Sequence, residues 1–418
     1  MPLIDDERFR KTFEAYSEIG ATENGGLHRL ALSEADRRAR DKFAADLRAL
    51  NLDVRIDEVG NMFASRPGEN PEKPPVLIGS HLDSQPSGGR FDGQLGVLTA
   101  LETLRTLEDH DVTAERPVEI VNWTNEEGSR FSPAMMGSGV FAGELKREEI
   151  LRTEDRDGVT VAEALEAISY EGDQPCESHD IHAALELHIE QGPKLESEGT
   201  SLGIVDGVFS MAWLEVTFTG EADHAGPTPM HTRRDALAAA VDAIDQIQGA
   251  PQSLGPDAVT TVGELSVEPN SVNVIPKEAQ FTVDVRSADE DVVTEGIERV
   301  QSEASSAATR HGVTADVELI WQIPATAFSP LVREACKDAA TTANVSYQTM
   351  TSGAGHDAKY LNDVTDAGMI FVPSRDGRTH TEKEFTPWAA CVAGAETFFH
   401  ATCKLAGAEI INSSESIE

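Results

Sequence analysis

Four short stretches of this chain are apolar almost throughout, and each lies beside side chains able to hold a cation or a proton. Pro75–Gly79 runs into Ser80 and His81, and Val118–Trp123 runs into Asn125, Glu126 and Glu127. Ala184–Ile189 carries His188 and stops at Gln191-Gly192-Pro193; Met369–Val372 precedes the polar turn that contains His380. Continuous apolar runs of this length suit strands buried on both faces, and such strands belong to parallel sheets covered by helices. Helical periodicity separates them. Ala35, Ala39, Phe43, Leu47 and Leu50 share one face, with Ser33 placed to cap the start, and Gly96–Leu107 and Leu331–Ala343 read as further helices. The expected class is α/β, with a mixed, mostly parallel sheet flanked by helices.

Near Ser210 the pattern changes from continuous to alternating. Trp213–Thr219 alternates as a half-exposed strand and is followed by an Ala-rich helix over Asp235–Ile247. Two alternating strands (Val259–Val267 and Gln280–Val285), a helix from Asp289 and a strand near Val313–Leu319 come next. That order is the ferredoxin-like split arrangement. After Pro324 the helix and buried-strand pattern returns. At 418 residues the chain exceeds what one core usually serves. The expected organisation is a main domain over 1–207 and 325–418, interrupted by an inserted α+β domain at 208–324.

The polar residues at the strand ends each have a plain reading and a chemical one. His81 sits where open α/β sheets place ligands, and Asp83, two residues on, can share its side and orient the imidazole. Alone, a histidine at a strand end is more often structural. Asp92, in Gly88-Gly89-Arg90-Phe91-Asp92-Gly93, is either a helix N-cap or a ligand. Glu126 and Glu127 are adjacent carboxylates after a buried strand. They form a solvated acidic loop, or they face a cation that one ligates while the other exchanges protons with water. Together, three histidines and two or three acids suit a cation that accepts imidazole and carboxylate. Two metals sharing one carboxylate need about this ligand count. No Gly-x-Ser-x-Gly elbow supports a serine hydrolase, and the scattered Cys176, Cys336, Cys391 and Cys403 form no Cys-x-x-Cys pair.

Charge narrows the partners. Asp and Glu outnumber Lys and Arg by 73 to 34, a net charge of −39, which argues against nucleic acid and anionic membranes. The acids are spread along the chain, and Arg is favoured over Lys. That fits a halophilic protein, because concentrated salt shortens screening to a few Å and removes self-repulsion. No stretch approaches the ~20 apolar residues of a membrane span. The acidic N-terminus lacks a secretory pattern, so a cytoplasmic location is expected.

The motifs Gly-Ser-His-Leu-Asp-Ser, Gly-Gly-Arg-Phe-Asp-Gly, Asn-Trp-Thr-Asn-Glu-Glu-Gly-Ser-Arg-Phe, Leu-His-Ile-Glu-Gln-Gly-Pro and Asp-His-Ala-Gly-Pro-Thr-Pro-Met follow one another in this chain. In this the chain resembles the N-carbamoyl-L-amino acid hydrolases, which group with β-ureidopropionases and allantoate amidohydrolases in a clan of dinuclear metallopeptidases and aminoacylases. The resemblance implies that Asp92 bridges two divalent ions (zinc, manganese, cobalt or nickel). His81 and His188 would complete one site, and Glu127 and His380 the other. It implies Glu126 as general base and Asp83 as the partner of His81. His188 stands where the peptidase branches usually carry an acid, which points to the carbamoylase branch. In the inserted domain, the implied lid and dimer contact, His224 would stabilise the oxyanion in the neighbouring subunit's site. Asn273 and Arg286 would grip the substrate, with Gln191 and the Gly355-His356 turn beside them. The implied substrate is an N-carbamoyl amino acid or ureide. The rivals are allantoate and β-alanine ureide hydrolysis, then deacylase or peptidase activity, and lastly a binding protein without turnover.

Overall fold

The computed structural model describes residues 3–408. The chain falls into two compact units. One runs to Gly207 and resumes at Ala327; the other is Val208–Thr326.

The first unit is built on a nine-stranded sheet. At its centre Val118–Trp123, Val76–His81, Ala183–Ile189 and Ala367–Val372 lie side by side, each pair parallel. All four are buried at every position, which is why they read as unbroken apolar runs. Met62–Arg66 and Leu202–Val208 flank them antiparallel. Helix Gln94–Asp109 packs on the two middle strands, and helix Trp388–Ala406 packs beside it. Helix Glu34–Ala49 begins where Ser33 accepts from the Asp36 N–H, as its sequence signals. The four cysteines are buried, and none is in a disulfide.

In the second unit the strands lie in the order Thr314–Ile323, Ser210–Thr219, Glu278–Ser287, and then two short strands, all antiparallel. Helices Ala236–Gly249 and Glu290–His311 begin at the caps Asp235 and Asp289. Their apolar faces meet Leu214, Val216, Phe218, Phe281 and Val283 in a core of its own. Strand, helix, strand, strand, helix, strand is the ferredoxin-like order. One element differs from its sequence pattern. The expected strand Val259–Val267 is two pieces, Val259–Thr261 against Asp284–Arg286 and Leu265–Glu268 against Glu278–Phe281. Three residues of one strand, Val262–Glu264, then oppose two of the other, which is a bulge. The Thr282 hydroxyl accepts from the Glu264 N–H there.

Candidate metal centre

Because the four central strands are parallel, their carboxyl ends share one edge of the sheet, and the loops leaving that edge converge. His81 ends its own strand, His188 pairs in register with Phe371, and the Glu126-Glu127 loop follows Trp123. Asp92 is the hub. Its Oδ1 lies 3.1 Å from His188 Nε2 and 3.6 Å from His81 Nε2. Its Oδ2 lies 3.5 Å from His380 Nε2, which in turn is 3.3 Å from Glu127 Oε2. Two clusters result, His81–Asp92–His188 and Asp92–Glu127–His380, in each of which the ligand atoms lie within 4.8 Å of one another. The first is buried; in the second the His380 side chain remains 47% exposed. Asp92 caps no helix, since the N-cap of Gln94–Asp109 is Gly93 and makes no side-chain bond.

These donors fit divalent ions. Nitrogen and oxygen ligands ~2.0–2.1 Å from a tetrahedral ion stand roughly 3.3 Å apart, the spacing seen around Asp92. His81 Nε2 is buried without a hydrogen-bond partner and points between Asp92 and Glu126, whose Oε2 is 3.5 Å away. Burial, then neighbouring carboxylates, push Glu126 well above the usual carboxylate range; burial and Asp92 push Glu127 up to about 8. Against its own burial, the His81 imidazole is driven well above its usual range by Glu126, Asp92 and Asp83. The acids here are short of positive charge, which a cation supplies.

The support differs in places from its sequence reading. His81 Nδ1 donates to the main-chain carbonyl of Asp83 at 3.0 Å, while the Asp83 carboxylate is 3.7 Å away. That carboxylate accepts instead from the N–H groups of Glu126 and Glu127, both at 3.2 Å, so it shapes the acidic loop. Glycine is required at position 93, where φ is +61° and an added Cβ would lie 2.3 Å from the His81 ring. Gln191, at φ 59°, donates to Asp92 Oδ2 at 2.7 Å. His356, after Gly355, sets its ring 4.5 Å from that of His188; burial, then the charge of His188, holds its imidazole well below the usual range.

Three polar residues around the ligands were not among the sequence candidates. Gln85 donates to Glu127 Oε2 at 2.8 Å, and Glu186, inside an apolar strand, accepts from Ser80 at 2.6 Å. Glu384 accepts from the N–H groups of Phe91 and Asp92. A buried acid in an apolar run was the available hint for Glu186.

In the second unit, the His224 and Asn273 segments are joined by a bridge between His224 and Val274 and by a bond from Ala225 N to the Asn273 carbonyl. His224 Nδ1 accepts from the Gly226 N–H at 3.0 Å, which places the hydrogen of a neutral ring on Nε2. Arg286 is paired with Asp284, two residues away on the same strand face, at 2.7 Å.

The profile of peptidase family M20/M25/M40 matches residues 77–404, a span that includes all five of these ligand candidates. The chain belongs to that family. Within it, the chain is 38% identical to an N-carbamoyl-L-amino-acid amidohydrolase of Rhizobium meliloti, over 96% of this chain and 97% of the relative. It is 32% identical to an allantoate amidohydrolase of Bacillus subtilis, over 89% and 91%. An amidase of the hydantoinase/carbamoylase family from Burkholderia vietnamiensis superposes with a TM-score of 0.92 at 43% identity, covering 98% of each chain. This family member therefore groups with hydrolases of non-peptide amide bonds.

Proposed function

We propose that the chain hydrolyses the carbamoyl C–N bond of N-carbamoyl-L-amino acids, releasing the amino acid, carbon dioxide and ammonia. His81, Asp92 and His188 would hold one divalent ion and Asp92, Glu127 and His380 a second. The observation that carries this is Asp92, whose two oxygens face two separate ligand sets. Zinc, manganese, cobalt and nickel all accept this mixture of donors. Two such ions supply Lewis acidity for the carbonyl and lower the pKa of a water.

The remaining chemistry belongs to side chains. Glu126, 9% exposed and outside both ligand sets, takes a proton from the attacking water at its carboxylate and returns it to the amino-acid nitrogen as the C–N bond breaks. The carbamic acid left behind separates into carbon dioxide and ammonia. His224, with its hydrogen on Nε2, donates to the developing oxyanion of a neighbouring subunit. Arg286, oriented by Asp284, is assigned the substrate carboxylate by the resemblance to the carbamoylases, and the same resemblance makes Asn273, Gln191, Gly355 and His356 candidate substrate contacts. Support for a dimer comes from the inserted unit, where Met230, Val259, Leu265, Val272, Leu319 and Ile320 are exposed apolar side chains. Four unpaired, buried cysteines favour a reducing, cytoplasmic setting.

An ammonia-release panel tests the substrate. N-carbamoyl-L-α-amino acids should exceed their D enantiomers, N-carbamoyl-β-alanine and allantoate in kcat/KM; faster turnover of allantoate would contradict the assignment. Arg286→Ala should lower kcat/KM by roughly 30-fold or more on carboxylate-bearing substrates, the scale of losing a charge-paired contact. Equal loss on an amide-capped analogue would remove Arg286 from that role. The net charge of −39 further favours a salt-adapted protein. Dialysis from molar KCl to ~0.1 M lengthens screening to about 10 Å and should lower both Tm and activity. Unchanged Tm would count against it.

A further inference from the structure

One carboxylate outside both ligand sets ties together two of the loops that carry them. Glu384 lies on the His380 turn and is 5% exposed. Its Oε1 accepts from the N–H groups of Phe91 at 2.8 Å and Asp92 at 3.1 Å. Its Oε2 is 3.1 Å from Thr379 Oγ1, which is itself 2.9 Å from Asp92 Oδ2. Glu384 therefore reaches Asp92 twice, at the main chain and, through one hydroxyl, at the side chain. Space is reserved for it: a Cβ on Gly89 would fall 1.9–2.4 Å from Glu384 side-chain atoms, so a larger residue there would expel the carboxylate. The ligand it serves needs holding. His380 is half exposed and has φ 54°, a backbone state that non-glycine residues keep only when their surroundings impose it.

We propose that Glu384 is a positioning residue that clamps the Asp92 loop to the His380 turn and so sets the affinity of the Asp92–Glu127–His380 site, with little effect on the His81–Asp92–His188 site. This rests on the two-ion reading above. Hydrogen inventory separates it from a general packing role. Thr379 has one hydroxyl hydrogen, and two carboxylate oxygens lie within reach of it. Glutamine at 384 would still accept from Phe91 and Asp92 through its oxygen. Its NH2 would donate to Thr379 Oγ1, leaving the Thr379 hydrogen to Asp92. Glutamine therefore preserves the clamp, and alanine removes it.

The test is titration of the chelator-stripped full chain with Co2+, followed by calorimetry and by the visible absorption of bound cobalt. Wild type and Glu384→Gln are expected to bind two ions alike. Glu384→Ala is expected to keep one tight site and weaken the other about 10- to 100-fold, the usual cost of losing a group that orients a ligand. Thr379→Val should weaken the same site by less. If Glu384→Ala does not fold, Thr379→Val decides: selective weakening supports the clamp, and none overturns it. A folded Glu384→Ala protein with both sites unchanged, or both equally weakened, overturns the clamp and leaves the two-ion reading standing. Wild-type protein that binds fewer than two Co2+ overturns both.

Discussion

Glu126→Gln is expected to retain two ions per chain and to lose kcat by ~10² or more, with KM little changed. Glutamine keeps the size of the side chain and the main-chain bond from Glu126 N to the Asp83 carboxylate, so the loop should hold its shape. What it loses is an oxygen able to take a proton. Burial, with Asp357 and Glu127 near it, already raises the Glu126 carboxyl well above its usual range, the direction a proton-carrying carboxylate needs. Metal analysis alongside steady-state kinetics checks this. Full activity in the variant would exclude Glu126 as the base, and loss of an ion would make it a ligand.

Asp92→Ala should have the largest effect of any single substitution: both ions lost and ammonia release undetectable. His81 and His188 meet through Asp92 Oδ1, and His380 and Glu127 through Oδ2, so deleting one side chain opens both clusters. Removal of a ligand confined to one cluster, such as Glu127→Ala, should spare the other ion. Metal content by elemental analysis separates the two cases. Two ions retained in Asp92→Ala would mean that the clusters do not share it.

The site was legible in the sequence where chemistry and strand periodicity coincide. His81, His188 and the Glu126-Glu127 pair stand at or just beyond apolar runs, and a parallel sheet necessarily gathers such ends on one edge. Asp92 and His380 lie in loops; residue type alone grouped them with the rest, and only the family resemblance assigned Asp92 the bridging place. Glu384 was not legible as a partner. It sits in an acid-rich, polar turn, and its burial depends on a glycine almost 300 residues earlier, at Gly89. The carbonyl and the carboxylate of Asp83 lie 3.0 and 3.7 Å from His81 Nδ1, a difference that a spacing of two residues cannot resolve. The break in Val259–Val267 likewise comes from pairing register with the Glu278–Ser287 strand rather than from the local pattern.

The most direct measurement is stepwise metal restoration. Chelator-stripped protein is reloaded with one divalent metal while ammonia release from an N-carbamoyl-L-amino acid is followed against ions bound per chain. No release from the stripped protein, and a full rate reached only as the second ion binds, is the expected result. Turnover by the metal-free chain, or a full rate at one ion, would contradict a paired site shared through Asp92.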